Sequence, residues 1–135
     1  MDARKPTPMP RLASTPPGIT LGPLDLVSHD GARNFVVQFE AGRFHGFVVR
    51  REQRVFGYVD RCPHMGLPLA QTLDRYLTDD STLIACSWHG ALFEADTGHC
   101  VGGPCRGVRL TEWPVHVRDG FIVTGPADRV TPGPG

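Results

Sequence analysis

The sequence predicts an all-β domain of about eight short strands, arranged as small packed antiparallel sheets or a partial barrel. Two observations predict it. Glycine (16) and proline (13) together make up more than a fifth of the 135 residues, which favours many turns over long helices. The apolar residues also come in short runs that are rich in β-branched and aromatic side chains and are bounded by turn residues, a pattern typical of strands.

The runs that we assign to strands extend from residue 35 to residue 124. Glu40-Ala41-Gly42 and Arg118-Asp119-Gly120 predict hairpin turns between two pairs of them, because such residues readily adopt positive φ. One stretch, LPLAQTLDRYL (67–77), predicts a helix of one or two turns. The strand runs are FVVQF (35–39), GFVVR (46–50), VFGYV (55–59), LIAC (83–86), ALFE (91–94), VHV (115–117) and FIVT (121–124).

Composition and charge limit the classes of partner. Lys plus Arg equals Asp plus Glu at 14 each, so the net charge gives no reason to expect nucleic acid or an anionic membrane as a partner. No apolar stretch is long enough for a signal peptide or a membrane span, and we expect a cytoplasmic protein. The proline-rich residues 1–18 predict a flexible arm, residues 19–127 the folded domain, and residues 128–135 a flexible tail.

Two short segments carry the residues suited to metal chemistry. They are Cys62-Pro63-His64-Met65-Gly66 and Cys86-Ser87-Trp88-His89-Gly90. Each couples a thiolate ligand to an imidazole ligand, as C-x-H and C-x-x-H, and each follows a predicted strand. We therefore expect two turns that meet at one metal centre, with Cys62, His64, Cys86 and His89 as its ligands.

Two cysteines and two histidines suit either a tetrahedral Zn²⁺ ion or a [2Fe–2S] cluster with two Cys on one iron and two His on the other. A zinc finger usually has its cysteines close together, followed by a helix that carries both histidines. Here each cysteine has its own histidine, so each segment can give one ligand to each iron. The spacing favours the cluster, and a structural zinc module remains the alternative.

These residues resemble the Rieske family, whose two cluster-binding loops CPHMG and CSWHG match. The continuation ALFEADTGHCVGGPC (91–105) is similar to the strand, D-x-x-G turn and Gly-Pro loop that cover the cluster in that family. The resemblance extends over about residues 34–124. It implies small antiparallel sheets, a tip formed by the two loops, and one [2Fe–2S] cluster per chain on the four ligands named above. It also implies that the histidines His64 and His89 carry the electron out.

The resemblance also indicates a low redox potential. High-potential Rieske proteins carry an extra cysteine in each loop, and these two form a disulfide; Leu67 and Trp88 stand in those places here. Those proteins also direct a serine hydroxyl at the cluster, where this chain has Ala91. Fewer hydrogen bonds to sulfur stabilise the reduced state less, so we expect a potential towards the lower end of the roughly −150 to +300 mV Rieske range.

Ring-hydroxylating oxygenases share the cluster motif but continue into a large domain with a mononuclear iron, and nothing after Thr124 is long enough to build one. The resemblance therefore implies a free-standing Rieske ferredoxin, which is an electron carrier and not itself an enzyme. It would take electrons from a flavin-containing reductase and pass them to a terminal oxygenase. The small subunit of a nitrite reductase is the alternative within the family, and an oxygenase fragment is a third.

We expect the other cysteines, histidines and carboxylates to have no role as metal ligands. We expect Cys100 and Cys105 to be reduced and partly buried, and the LTDDST stretch (77–82), which lengthens the interval between His64 and Cys86, to be a solvated extension. We expect the remaining histidines to be ordinary strand or loop residues, with His99 nearest the covering loop. These residues are His29, His45, His99 and His116, and the carboxylates that we expect at the surface are Glu52, Asp60, Asp74, Asp79 and Asp80.

Overall fold

The computed structural model describes residues 12–61, 76–78, 80–86, 91–103 and 108–126. These residues form nine strands and one short 3-10 helix, Leu24–Leu26, so the predicted all-β class is confirmed. No helix in this part of the chain is long and apolar enough to cross a membrane. The strands are β1 (Thr20–Pro23), β2 (Ala32–Phe39), β3 (Gly42–Arg51), β4 (Arg54–Val59), β5 (Leu83–Ala85), β6 (Leu92–Glu94), β7 (Cys100–Gly102), β8 (Val115–Arg118) and β9 (Phe121–Thr124).

The strands form three antiparallel sheets of three strands each. The first sheet has the order β2-β3-β4, the second β5-β6-β7 and the third β1-β9-β8. Each predicted hairpin turn is confirmed by the pairing beside it, Phe39 with Gly42 and Arg118 with Phe121. In the second of these turns Asp119 and Gly120 both have positive φ, 53° and 81°, which matches the right-handed twist of the flanking strands.

Two groups of buried side chains form the interior. The first core joins the first sheet to the second, and the second core joins the first sheet to the third. The first core consists of Phe47, Val49, Tyr58, Tyr76, Ile84, Cys86, Ala91, Phe93, Ala95, Cys100 and Leu110. The second consists of Leu24, Val27, Phe44, Val48, Val55, Trp113 and Ile122.

The secondary structure differs from the prediction in three places. The strands β1 and β7 were not predicted, because their sequences TLGP and CVG are short and contain glycine or proline, which weaken a strand signal. The predicted helix at 67–77 lies mostly outside the described residues. Its last residues are not helical, since Leu77 pairs with Ile84 in an isolated antiparallel bridge. The chain is extended there because it runs beside β5.

Residues 12–18, which the sequence analysis placed in the N-terminal arm, lie against the sheets. The Leu12 amide donates to the Arg43 carbonyl at 2.8 Å and the Gly18 amide to the Thr124 carbonyl at 2.9 Å. The Trp113 indole N–H donates to the Thr15 hydroxyl at 2.9 Å. The packed part of the chain therefore begins before residue 18, whereas residues 1–11 and 127–135 lie outside the described part.

Trp113 fixes how the first and third sheets pack. Its ring is buried against Phe44, with centroids 4.7 Å apart, and its amide donates to the Gly57 carbonyl at 2.9 Å. A Cβ at Gly46 would lie 2.5 Å from the Trp113 ring, and a Cβ at Gly57 would overlap the Trp113 carbonyl oxygen. Both glycines are needed because a side chain would push the tryptophan off the sheet.

We predict that Gly57→Ala destabilises the protein by about 1–3 kcal/mol, the usual cost of overpacking a core. Gly102→Ala is the matched control, since a Cβ there meets nothing closer than Leu92 Cδ1 at 3.5 Å, and it should change stability by less than about 0.5 kcal/mol. Urea denaturation of both variants measures the difference. Equal midpoints for the two would show that Trp113 does not require the glycine.

Candidate metal centre

Of the four predicted ligands, Cys86 lies in the described part of the chain, and Cys62, His64 and His89 lie outside it. Cys86 directly follows β5 and is only 1% exposed. The ends of the two ligand segments can nevertheless be located. We call residues 62–75 the first segment, residues 87–90 the second segment and residues 104–107 the third segment.

The second segment begins and ends at one backbone hydrogen bond. The Cys86 amide donates to the Ala91 carbonyl at 2.8 Å. This bond extends the pairing of β5 with β6, in which Ala85 is opposite Leu92. His89 is therefore within four residues whose two ends are held side by side, and a thiol at one end is buried.

The two ends of the first segment are connected by one side-chain hydrogen bond. The segment starts after Arg61 and ends before Tyr76, and the Tyr76 hydroxyl donates to Asp60 Oδ2 at 2.9 Å. The Tyr76 carbonyl accepts the Ala85 amide at 2.8 Å, one residue before Cys86. The end of the first segment therefore lies beside the start of the second, and its beginning is held to that end through Asp60.

The third segment leaves from the same end of the second sheet. There Ala85 is opposite Leu92, and Leu92 is opposite Gly102 at the end of β7. The chain returns at Val108, whose carbonyl accepts the Cys100 amide at 2.8 Å. Antiparallel pairing and the Tyr76–Asp60 hydrogen bond therefore bring the ends of the three segments towards one end of the second sheet, where the sequence predicts a metal centre and its cover.

The donor chemistry of these segments fits a Rieske cluster. Two thiolates and two imidazoles are the ligands that such a cluster takes, and the one described donor, the Cys86 thiol, is shielded from water as a cluster sulfur ligand requires. The neighbouring Ala91 is also 1% exposed, and its methyl group has no proton to donate to a sulfur. Among the described residues, no group of three or more His, Cys, Asp or Glu side chains is placed to hold a metal ion.

Asp60 is buried, and the prediction that it lies at the surface was wrong. It is 4% exposed and accepts hydrogen bonds on Oδ2 from the Tyr76 hydroxyl and, at 3.2 Å, from Asn34 Nδ2. A buried carboxylate requires such donors. They lie 16 and 26 residues away in sequence, so no local pattern could reveal them, and Asn34 and Tyr76 were missed for the same reason.

Tyr58, another buried tyrosine of the first core, forms a structural hydrogen bond. Its hydroxyl donates to the Ala95 carbonyl at 2.7 Å. Burial, together with the charges of Asp96 and Glu112, raises the pKa of Tyr58 well above its ordinary value of 10.0. The side chain therefore stays neutral across the physiological pH range.

The other four histidines lie on different elements of the fold. His99 is exposed and forms an isolated bridge with Arg109, and His29 is exposed and 3.5 Å from the Arg50 guanidinium. His45 is half-buried in β3 opposite Val36. His116 is half-buried, with Nδ1 2.8 Å from the Gly125 carbonyl.

Cys100 is buried in the first core, and its Sγ donates to the Gly102 carbonyl at 3.2 Å. Cys105 lies in the third segment, outside the described residues. The prediction that both are reduced therefore stays a prediction. The burial of Cys100 agrees with its place on β7, where its side chain faces the core.

The described residues of the LTDDST stretch, 77–78 and 80–82, are organised by one carboxylate, and Asp79 lies outside the described residues. The hydroxyls of Thr78 and Thr82 donate to Asp80 Oδ1 at 2.6 and 2.7 Å. The Thr78 amide donates to the Leu83 carbonyl at 2.8 Å. These bonds close the turn against β5, with Asp80 exposed as expected.

Comparison with known proteins gives a family. The family model for the Rieske [2Fe-2S] domain matches residues 25–114, two thirds of the chain. No curated protein sequence matches this chain.

Solved structures share the fold. The ferredoxin of carbazole 1,9a-dioxygenase from Nocardioides aromaticivorans IC177 superposes with a TM-score of 0.62 at 20% identity, over 83% of this chain and 99% of that one. A chain from the complex of reduced oxygenase and oxidized ferredoxin in carbazole 1,9a-dioxygenase has a TM-score of 0.62 at 22% identity, over 79% and 100%. The terminal oxygenase of carbazole 1,9a-dioxygenase from Novosphingobium sp. KA1 has a TM-score of 0.61 at 21% identity, over 90% of this chain but 34% of that one.

The turn at Asp80 gives a pH prediction. The hydrogen bonds from Thr78 and Thr82 lower the pKa of Asp80 from 3.8 to about 2. Because the folded pKa is depressed, the stabilisation is present above pH 3.8 and is lost as the pH falls towards about 2. Carboxyl NMR titration should give this low pKa, and Thr78→Val should raise it towards 3.8. Thr97→Val, which removes a hydroxyl bound to Glu94 instead, should leave the Asp80 titration unchanged.

Proposed function

Because this chain belongs to the Rieske [2Fe-2S] domain family, we propose that it is a one-electron carrier between a flavin-containing reductase and a terminal oxygenase. The observation that carries the proposal is that the three segments come together at one end of the second sheet, with the buried Cys86 among the residues that flank them. A domain of this family holds one [2Fe–2S] cluster per chain. When bound, that cluster supplies a reversible one-electron couple.

Cys62, His64, Cys86 and His89 are the proposed ligands. Two ferric ions, two sulfides and two thiolates sum to zero charge when both imidazoles are neutral, whereas four thiolates would add two negative charges. The two histidines therefore make an added electron easier to accept. Imidazole ligands also offer the electron a short route out of the cluster, and we assign that role to His64 and His89.

Cys86 has a second task besides ligation. Its backbone amide closes the second segment through Ala91, and its side chain is packed in the first core. The strand thus fixes one sulfur ligand before any metal arrives. A fixed ligand limits the structural change that accompanies each change of charge, which an electron carrier requires for fast transfer.

The extent of the structural likeness supports a carrier. This chain matches nearly the whole length of the Nocardioides ferredoxin but only a third of the Novosphingobium terminal oxygenase. The complex that contains both oxygenase and ferredoxin indicates the kind of partner that a protein with this fold meets. We infer that a terminal oxygenase accepts the electron, that a flavin-containing reductase supplies it, and that this exchange takes place in the cytoplasm.

The first test is an anaerobic EPR spectrum of the dithionite-reduced protein, with iron and acid-labile sulfide measured on the same sample. We expect a rhombic signal with an average g below that of all-Cys ferredoxins, and about two irons and two sulfides per chain. A silent spectrum with about one zinc would instead indicate a structural metal module.

Two serine variants test the ligand assignment. Cys86→Ser should lose the cluster, because the thiolate that binds iron is gone. Cys100→Ser alters another buried cysteine of the same core and should retain about two irons per chain. A Cys86→Ser variant that retains as much iron as Cys100→Ser, about two irons per chain, would exclude Cys86 as a ligand.

Ala91 gives a prediction for the redox potential. We expect the midpoint near the low end of the Rieske range, around roughly −150 mV, and we expect Ala91→Ser to raise it, since a hydroxyl would stabilise the more negative reduced state. A bond stronger by about 1.4 kcal/mol in that state corresponds to roughly 60 mV. Ala95→Ser, at a buried position just beyond the opposite end of β6, is the control and should leave the potential unchanged. A clearly positive wild-type midpoint would contradict the low-potential assignment.

A further inference from the structure

We propose that Asp60, Asn34 and Tyr76 form a positioning clamp that sets the distance between the two ligand segments. The proposal rests on the ligand assignment proposed above. None of the three residues is a proposed ligand. They act through the ends of the segments that carry the ligands.

The clamp is an arrangement of three side chains that bind one another, and Asn34 Nδ2 also donates to the Gly46 carbonyl at 3.3 Å. The Tyr76 hydroxyl donates to Asp60 Oδ2 at 2.9 Å and accepts from Asn34 Nδ2 at 2.8 Å. Asn34 Nδ2 is also within 3.2 Å of the same carboxylate oxygen. Each side chain therefore contacts the other two, and hydrogen bonds to a carboxylate are about twice as strong as neutral ones.

Each member comes from a different part of the fold. Asn34 lies on β2, opposite Phe47 of β3. Asp60 follows β4, and its amide donates to the His45 carbonyl at 3.0 Å. Tyr76 begins the chain that runs beside β5. The clamp therefore joins the first sheet to the second at the point where the first segment leaves and returns.

Tyr76 connects the clamp to the second segment. Its carbonyl accepts the Ala85 amide at 2.8 Å, next to Cys86. Its ring is 2% exposed and stacks on Phe47, with centroids 4.2 Å apart and planes 7° from parallel. A shift of Tyr76 would therefore move the residue that precedes Cys86 relative to Asp60, which is two positions before Cys62.

This connection matters because each ligand segment gives one ligand to each iron. A change in the distance between the segments would alter the ligands of both irons together. The clamp contributes by holding that distance, whereas a hydrogen bond elsewhere in the core contributes to stability alone. The two roles predict different results for two tyrosine variants.

Tyr76→Phe removes the hydroxyl of the clamp and keeps the stacked ring. Tyr58→Phe is the matched control, because Tyr58 is 3% exposed, packs against the same Phe47 with centroids 5.7 Å apart, and donates to the Ala95 carbonyl. We expect similar losses of thermal stability in both. Only Tyr76→Phe should release its metal to a chelator faster, by about tenfold, the factor expected for losing one hydrogen bond to a charged group.

Tyr76→Phe should also broaden the EPR signal of the reduced protein and shift its g values, while Tyr58→Phe should leave the spectrum as in the wild type. Asp60→Asn keeps the shape of the side chain and one acceptor oxygen but removes the charge. It should therefore release metal at a rate between those of the wild type and Tyr76→Phe, and it supplies the test if Tyr76→Phe does not fold.

Wild-type release rates and spectra in Tyr76→Phe, or equal effects in Tyr58→Phe, would overturn the clamp. The release measurement also separates this proposal from the proposed function. A wild-type protein that holds zinc would refute the electron carrier, yet the ratio of zinc release rates between Tyr76→Phe and Tyr58→Phe would still decide whether the clamp positions the ligand segments.

Discussion

The structure depends on the burial of both faces of β3. Successive side chains of a strand point to opposite faces of its sheet, and in β3 both faces are covered. Phe47 and Val49 enter the first core, while Phe44 and Val48 enter the second. Every residue from Gly46 to Arg50 is buried. A shift of one residue in the pairing of β3 would exchange the contents of the two cores, so its hairpins with β2 and β4 fix the whole arrangement.

The two cores have separate tasks. The second core, around Trp113, packs the third sheet and the residues near the N-terminus onto the first sheet, and it does not include Cys86, the one proposed ligand that the structure describes. The first core contains Cys86 and Tyr76 and lies beneath the ends of the three segments. Phe47 links the two tasks, because it belongs to β3 and stacks on Tyr76. Phe47 therefore connects the central strand β3 to Tyr76, which lies next to the proposed metal centre.

The sequence predicted features that depend on neighbouring residues, and it did not predict contacts between residues that are far apart in sequence. Alternating β-branched runs and Asp-Gly turns predicted the longer strands, since both depend on neighbouring residues. The motifs around Cys62 and Cys86 predicted the family because they keep ligand spacing within five residues. The burial of Asp60 could not be predicted, because its donors Asn34 and Tyr76 come from other elements. The strands β1 and β7 were missed because their segments of four and three residues are short and contain glycine or proline, which weaken a strand signal.

The Cys86–Ala91 hydrogen bond and the Tyr76–Asp60 hydrogen bond also bear on how the protein matures. Joining the ends of a flexible segment costs entropy that grows slowly with its length, and here strand pairing and the buried hydroxyl bring those ends together. That entropy is therefore lost when the chain folds and does not have to be lost again when the cofactor is inserted. Insertion of the cofactor would then start from a folded chain in which the ends of the ligand-bearing segments are already held in place.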